Sequence, residues 1–148
     1  MPPPRLDRTD LALLRALQAE GRLSNVDLAQ RVNLSPSACL RRVQRLEADG
    51  VISGYRAELD PAKLGLGLRA FVRVQLKSHG SDDIARFAQD IRGCDEVERC
   101  FALTGDMDYL LEVRVRDLEH FSRFLLDGLL AGGQVADVNS SFVLRAVK

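Results

Sequence analysis

Three times within the first fifty residues a capping side chain stands just before a short apolar stripe of helical period, so the chain must begin as brief helices joined by tight turns. Asp7 precedes the first stripe, with Asp10 three residues on and Leu6 and Leu11 at the staple positions. This predicts a helix from about Arg8 to Glu20, with Leu11, Leu14 and Leu17 inward beside Leu13 and Ala16, and Gly21 as its stop. Ser24 precedes the second, again with an acid (Asp27) three residues later and with Leu23 and Leu28 as the staple. Leu28, Ala29 and Val32 face inward, and Asn33 is expected in a left-handed turn. Ser35 precedes the third, and Pro36 takes its first position, where a missing N–H costs nothing. That helix runs to about Asp49 and ends at Gly50.

A helix of about eight residues, a turn of about three and a longer helix is the spacing of a helix-turn-helix. Many helical hairpins share it, so the wheel of the third helix carries more weight. Cys39, Val43 and Leu46 fall at i, i+4 and i+7 and define its buried stripe. The opposite side presents Ser37, Arg41, Gln44 and Arg45, with the small Ala38 and Ala48 between them. Short side chains let a backbone approach a groove, and Arg and Gln pair bidentately with guanine and adenine edges. Arg42 lies at the flank, where phosphate is the nearer partner. With the capping Ser35, the expected DNA-contacting set is Ser35, Ser37, Arg41, Arg42, Gln44 and Arg45. A merely solvated basic face is the alternative reading. The short capped helix in front, and the lack of any acid between Arg41 and Glu47, favour the groove.

Composition removes several other classes. The 148 residues are 46% hydrophobic and 28% charged, ordinary for a globular chain, and the formal net charge is zero. Neutrality argues against a purely electrostatic nucleic-acid coat but leaves room for a local basic face. Cys39, Cys94 and Cys100 show no CxxC spacing, so neither a disulfide framework nor a zinc site is expected, and reduced thiols fit the cytosol. His79 and His120 stand far apart and lack a ligand-spaced partner. No catalytic residue, cofactor or metal is expected. The start, Met1-Pro2-Pro3-Pro4-Arg5, has no apolar signal core, and no run approaches the ~18 apolar residues of a membrane span, so a cytoplasmic protein is expected.

The second half changes period. Val51 to Leu59 alternates imperfectly and reads as a strand leaving the helical part, and Asp60-Pro61 breaks it. The expected division is therefore 1–52 as the helix-turn-helix domain, 53–65 as a strand linker and 66–148 as a second domain. From Leu66 to Lys77 apolar residues occupy the even positions, the mark of a half-buried strand. Ser81 opens a helix with Ile84, Phe87, Ala88 and Ile91 inward, ending at Gly93. Val97–Thr104 and Tyr109–Arg116 read as strands, Asp117 caps a helix using Phe121, Phe124, Leu125 and Leu129, and Val135–Val147 reads as a last strand. The order β-α-β-β-α-β is the ferredoxin-like split motif, an α+β arrangement with both helices on one face of an antiparallel sheet. The other face is expected to carry Phe71, Cys100, Ala102, Leu110 and Val143, an apolar set that favours sheet-on-sheet dimerisation over scattered surface residues. Gly105-Asp106-Met107-Asp108 is first of all a hairpin connection. Its acids are also suited to the ammonium of a small zwitterion, and its N–H groups to a carboxylate.

Taken together, Leu6-Asp7-x-x-Asp10, Gly21-Arg22-Leu23-Ser24, Leu28-Ala29, Leu34-Ser35-Pro36-Ser37-x-Cys39-x-Arg41-Arg42-Val43 and Leu46-Glu47-x-x-Gly50-Val51-Ile52 resemble the Lrp/AsnC family of feast/famine regulators. Thr104-Gly105-Asp106-x-Asp108-Tyr109-Leu110-Leu111 is similar to that family's effector loop, and Ser141-Phe142-Val143-Leu144 with Val147-Lys148 fit its close. The resemblance implies a winged-helix-like helix-turn-helix followed by a ferredoxin-like effector and dimerisation domain. It implies homodimers assembling into tetramers, octamers or larger discs on double-stranded DNA. A small effector, usually an amino acid, would bind at Gly105, Asp106, Met107 and Asp108. Two departures are visible. Ala131-Gly132-Gly133-Gln134-Val135 lacks a proline often found there, and Met107 stands where relatives are often aromatic or polar. A ligand-independent DNA-wrapping protein is the nearest alternative. A sirohaem-decarboxylase-like enzyme is a remote one, because only His79 and His120 are available for such chemistry.

Overall fold

The computed structural model describes residues 4–148, and the chain divides into two compact units between Leu59 and Asp60. The first unit holds α1 (Arg8–Ala19), α2 (Asn25–Arg31) and α3 (Pro36–Ala48). All three start on the expected caps. The Asp7 side chain accepts from the Asp10 N–H and Asp10 reaches back to the Asp7 N–H, a complete capping box. Ser24 and Ser35 accept from the Asp27 and Ala38 N–H groups. Asn33, at φ 55°, makes the left-handed turn between α2 and α3, and Gly50, at φ 70°, follows α3. Leu13, Leu28, Ala29 and Cys39 form the core, with Ala16, Leu17, Val32 and Val43 packed around them.

The face of α1 differs from the expected one. Leu11 is exposed and Leu14 only half-buried, whereas Asp10 and Leu13 are buried. The helix is rotated so that the Asp10 carboxylate enters the interior beside Leu13 while Leu11 faces solvent, for a reason that lies in α3. A second correction concerns Val51 to Leu59, expected as a strand. Beyond a bend at Val51–Ile52 these residues hold no regular structure, and among the described residues no strand supplies a ladder for them.

The second unit runs β1 (Leu68–Leu76), α4 (Ser81–Arg92), β2 (Val97–Ala102), β3 (Tyr109–Val115), α5 (Leu118–Arg123) continuing into a π-helical turn (Phe124–Leu129), and β4 (Val135–Phe142). The strands form one antiparallel sheet in the order β2-β3-β1-β4, the ferredoxin-like arrangement. The even residues of β1 and the odd residues of β3 from Leu111 to Val115 point to the helices. They pack with Phe87 and Ile91 of α4 and with Phe121 and Phe124. The last strand stops at Phe142 rather than Val147, although the Val143 N–H still bonds to the Arg69 carbonyl.

On the open face the expectation was half right. Phe71, Leu110 and Val143 lie there, but Cys100 and Ala102 do not. Val97 pairs with Val113, and then a bulge at Glu98 sets Arg99 opposite Glu112 and Cys100 opposite Leu111. One inserted residue flips every later side chain of β2 to the other face. Phe101, opposite Leu110 and 45% exposed, takes the place expected for Cys100. The same face holds Glu112, only 2% exposed, paired with both Arg69 and Arg99.

Candidate DNA interface and effector loop

The third helix begins at a constrained corner. The Asn25 amide donates to the Pro36 carbonyl at 2.8 Å, and the Leu34 N–H bonds to the Ala29 carbonyl at 2.9 Å. These tie the start of α3 to α2. The Ser35 Oγ, already accepting from the Ala38 N–H, stands 3.3 Å from the Ser37 Oγ. Both serines are exposed at the N-terminal end of the helix, where N–H groups favour an anion.

The three arginines then part company. Arg42 Nη1 donates to Asp7 at 2.7 Å and to Asp10 at 2.8 Å, and Arg45 Nη2 donates to Asp10 at 2.5 Å. Asp10 is 1% exposed, so its carboxylate is held inside by two guanidiniums from α3 and one N–H from its own cap. Burial pushes its pKa up. The Asp7 N–H and the two arginines outweigh that, and the carboxyl sits below the ordinary range. Asp7 is lowered too, by the Asp10 N–H first and then by Arg42, and Arg42 is correspondingly raised by Asp7 and Asp10. This triad explains the rotation of α1: its acid must face α3.

Arg41, by contrast, is exposed and has no acidic partner among the described residues. Gln44 is likewise exposed. With Ser37 and Leu40 they occupy positions 37, 40, 41 and 44, spaced i, i+3, i+4 and i+7, hence one face. Of the six residues expected at DNA, four (Ser35, Ser37, Arg41, Gln44) are thus unencumbered by ion pairs, while Arg42 and Arg45 are anchored within the unit. The acids that anchor them were invisible to the wheel of α3, being 32 and 35 residues earlier in the chain.

In the second unit, Gly105 has φ 110°, a backbone region that glycine enters freely, and lets the chain turn between β2 and β3. Asp106 is exposed, whereas Met107 is 8% exposed and packed inward, so its side chain is part of the loop's footing. Asp108 is the organised acid. Its carboxylate accepts from the Leu76 N–H at 2.7 Å and lies 2.9 Å from His79 Nε2, while its own N–H bonds to the Val74 carbonyl at 2.9 Å. The Leu76 N–H, and after it His79, holds the Asp108 carboxyl below its usual range despite some burial. Sequence reading found no ligand-spaced partner for His79. The antiparallel register Val74–Tyr109 is what brings residues 76–79 alongside 105–108. His120 is also engaged, 3.1 Å from Glu96. Two hollows of about 410 and 240 Å³ in this unit are lined by other residues; within the loop Gly105 and Asp106 are exposed, whereas the Asp108 side chain is half-buried. Among the described residues no group of three His, Cys, Asp or Glu side chains is placed to hold a metal, and no helix is long and apolar enough to cross a membrane.

Comparison with known proteins agrees with both halves. Residues 6–53 match a family described as winged helix-turn-helix DNA-binding, and residues 69–148 match the Lrp/AsnC ligand binding domain. The Bkd operon transcriptional regulator of Pseudomonas aeruginosa is 46% identical over 142 residues, covering 96% of this chain and 93% of that protein. The leucine-responsive regulatory protein of Escherichia coli is 41% identical over 143 residues, covering 97% and 87%. Among solved structures, a transcriptional regulator of Neisseria meningitidis in complex with L-Met superposes with a TM-score of 0.93 at 48% identity, covering 97% of this chain and 93% of that one. An AsnC family regulator from Agrobacterium tumefaciens gives 0.89 at 36% identity, covering 97% and 93%.

Proposed function

The chain belongs to the Lrp/AsnC family of DNA-binding transcriptional regulators, and from that premise we propose how its own residues divide the work. Residues 1–52 bind double-stranded DNA, 53–65 link, and 66–148 bind an effector and hold copies together. The face of α3 made by Ser37, Arg41 and Gln44 enters the major groove, with Ser35 at a phosphate. Arg42 and Arg45, fixed to α1, offer their remaining N–H groups to the backbone at the groove edge. The observation that carries this is the partition of the arginines: the acids of α1 take up two of them and leave Arg41 free.

The effector is an amino acid, with leucine and methionine first to be tried, since a relative is named for its response to one and a structural neighbour was solved with the other. Asp108 receives its ammonium, and the N–H groups beside Gly105 and Asp106 its carboxylate. Met107 contributes from beneath as an apolar floor. The exposure of Gly105 and Asp106 favours a site completed by another copy, consistent with a homodimer that assembles further through the apolar sheet face and its neighbours. Both histidines are tied to carboxylates, which favours a regulator over a tetrapyrrole enzyme, and a cytoplasmic location suits a DNA-bound regulator. The test is a thermal-shift screen against the twenty amino acids, followed by DNA binding and sedimentation with the hit. A hit that leaves both DNA affinity and assembly unchanged sinks the effector reading.

A further inference from the structure

We propose that Leu40 is a specificity residue of the DNA interface, reading the C5-methyl group of one thymine in each half-site. The proposal rests on the DNA-binding reading above. Leu40 is 46% exposed, yet lies on the same face as Ser37, Arg41 and Gln44 rather than on the stripe of Cys39 and Leu46. A single exposed leucine is unremarkable on a protein surface. What distinguishes this one is its place, flanked by Arg41 and one turn from Gln44, with Arg42 and Arg45 withdrawn to α1. When that face is buried against base edges, Leu40 is buried with it.

The chemistry then narrows the partner. A leucine side chain neither donates nor accepts a hydrogen bond. Against the amino groups of adenine or cytosine, or the O6 and N7 of guanine, it strands a polar group away from water. The thymine methyl is the apolar feature of the major groove, and contact with it strands the fewest polar atoms. Four residues of helix separate Leu40 from Gln44, about 6 Å at ~1.5 Å per residue, which is roughly two base steps. The thymine therefore falls within about two base pairs of whatever Gln44 and Arg41 read.

The experiment uses the full-length protein to select duplexes from a randomised library. Each thymine of the selected site is then replaced by deoxyuridine, which lacks only the methyl group. One position per half-site should weaken binding roughly three- to tenfold, the scale of one buried methyl group. Leu40→Ala should bind the thymine site that much more weakly and no longer distinguish thymine from deoxyuridine there. Circular dichroism confirms that the variant is folded, and the deoxyuridine series with the unaltered protein stands without it. A selected site at which no deoxyuridine replacement matters overturns the proposal alone, as does Leu40→Ala retaining the full discrimination. Failure to select any site overturns the DNA-binding reading and this proposal with it.

Discussion

Replacing Asp10 by Asn tests the central claim about the helical unit, that a buried carboxylate on α1 organises the arginines of α3. In the native protein that carboxylate accepts from Arg42, Arg45 and the Asp7 N–H, at 2.8, 2.5 and 3.1 Å. Asn keeps the size and one acceptor oxygen but turns a donor toward a guanidinium. Losing one partner of a wholly buried pair costs about 3–5 kcal/mol. Arg42 and Arg45 are 29% and 47% exposed, so they recover part of their hydration and the cost falls to or below the lower end of that range. We expect about 2–3 kcal/mol. At 4–8 °C per kcal/mol for a small unit, that is a drop of roughly 10–20 °C in its melting temperature. Hydrogen exchange of the α1 and α3 amides localises the effect, and a cycle with Arg45→Gln should give a coupling of about 1 kcal/mol or more. The pH dependence has a definite sign. Because the folded pKa of Asp10 is depressed, its contribution is present above the unfolded value of about 4 and fades as pH falls through the folded one, so variant and native stabilities should converge in acid. Stability within about 0.5 kcal/mol of the native protein at pH 7, or an additive cycle, would refute the reasoning.

Other outcomes are equally definite. Arg41→Ala, which touches no acid, should leave stability unchanged and cost about 1–3 kcal/mol of specific DNA binding, read by titration against the selected duplex; an equal loss on random DNA would make it a phosphate contact. Asp108→Asn keeps an acceptor for the Leu76 N–H but removes the charge, so the fold and ligand-free DNA binding should persist while the effector response disappears from a thermal-shift titration. Under the assembly proposed above, Phe71→Glu, set on the open sheet face near Leu110, should lower the mass found by sedimentation; an unchanged mass would show that the sheet face is not the contact.

Features legible in the sequence were those decided by neighbours along the chain. The caps at Asp7, Ser24, Ser35 and Asp117, the left-handed Asn33 and the alternation of β1 each follow from a few consecutive residues. The misreadings come from distant partners and from local irregularities that leave no periodicity. Asp10 looked like a helix-capping acid on a helix whose leucines would face inward. Its burial is set by Arg42 and Arg45, and no periodicity of α1 contains them. The bulge at Glu98 leaves no trace in a strand of mixed polarity, yet it exchanged Cys100 for Phe101 on the open face. Val51 to Leu59 has a strand's alternation but no ladder to join. The π-helical turn at Phe124–Leu129 inserts itself into a helical stripe whose apolar residues fit either geometry.

The anchoring of Arg42 and Arg45 also bears on why such a unit would work in multiples. Counterion release makes DNA affinity grow with each phosphate neutralised, at roughly 0.9 in the salt exponent apiece. On the outward face of α3, Arg41 is the one cation without an acidic partner among the described residues, and the chain's net charge is zero. Under the function proposed above, a lone copy would hold DNA weakly, by a few base contacts and the partly engaged Arg42 and Arg45 at the backbone. Linked copies raise affinity through effective concentration, without any new contact, provided their spacing suits the duplex. Under the function proposed above, an effector that altered the spacing or number of copies would change DNA binding steeply while leaving every residue of α3 where it is. Control then belongs to the second unit, and the first needs only enough affinity to be controllable.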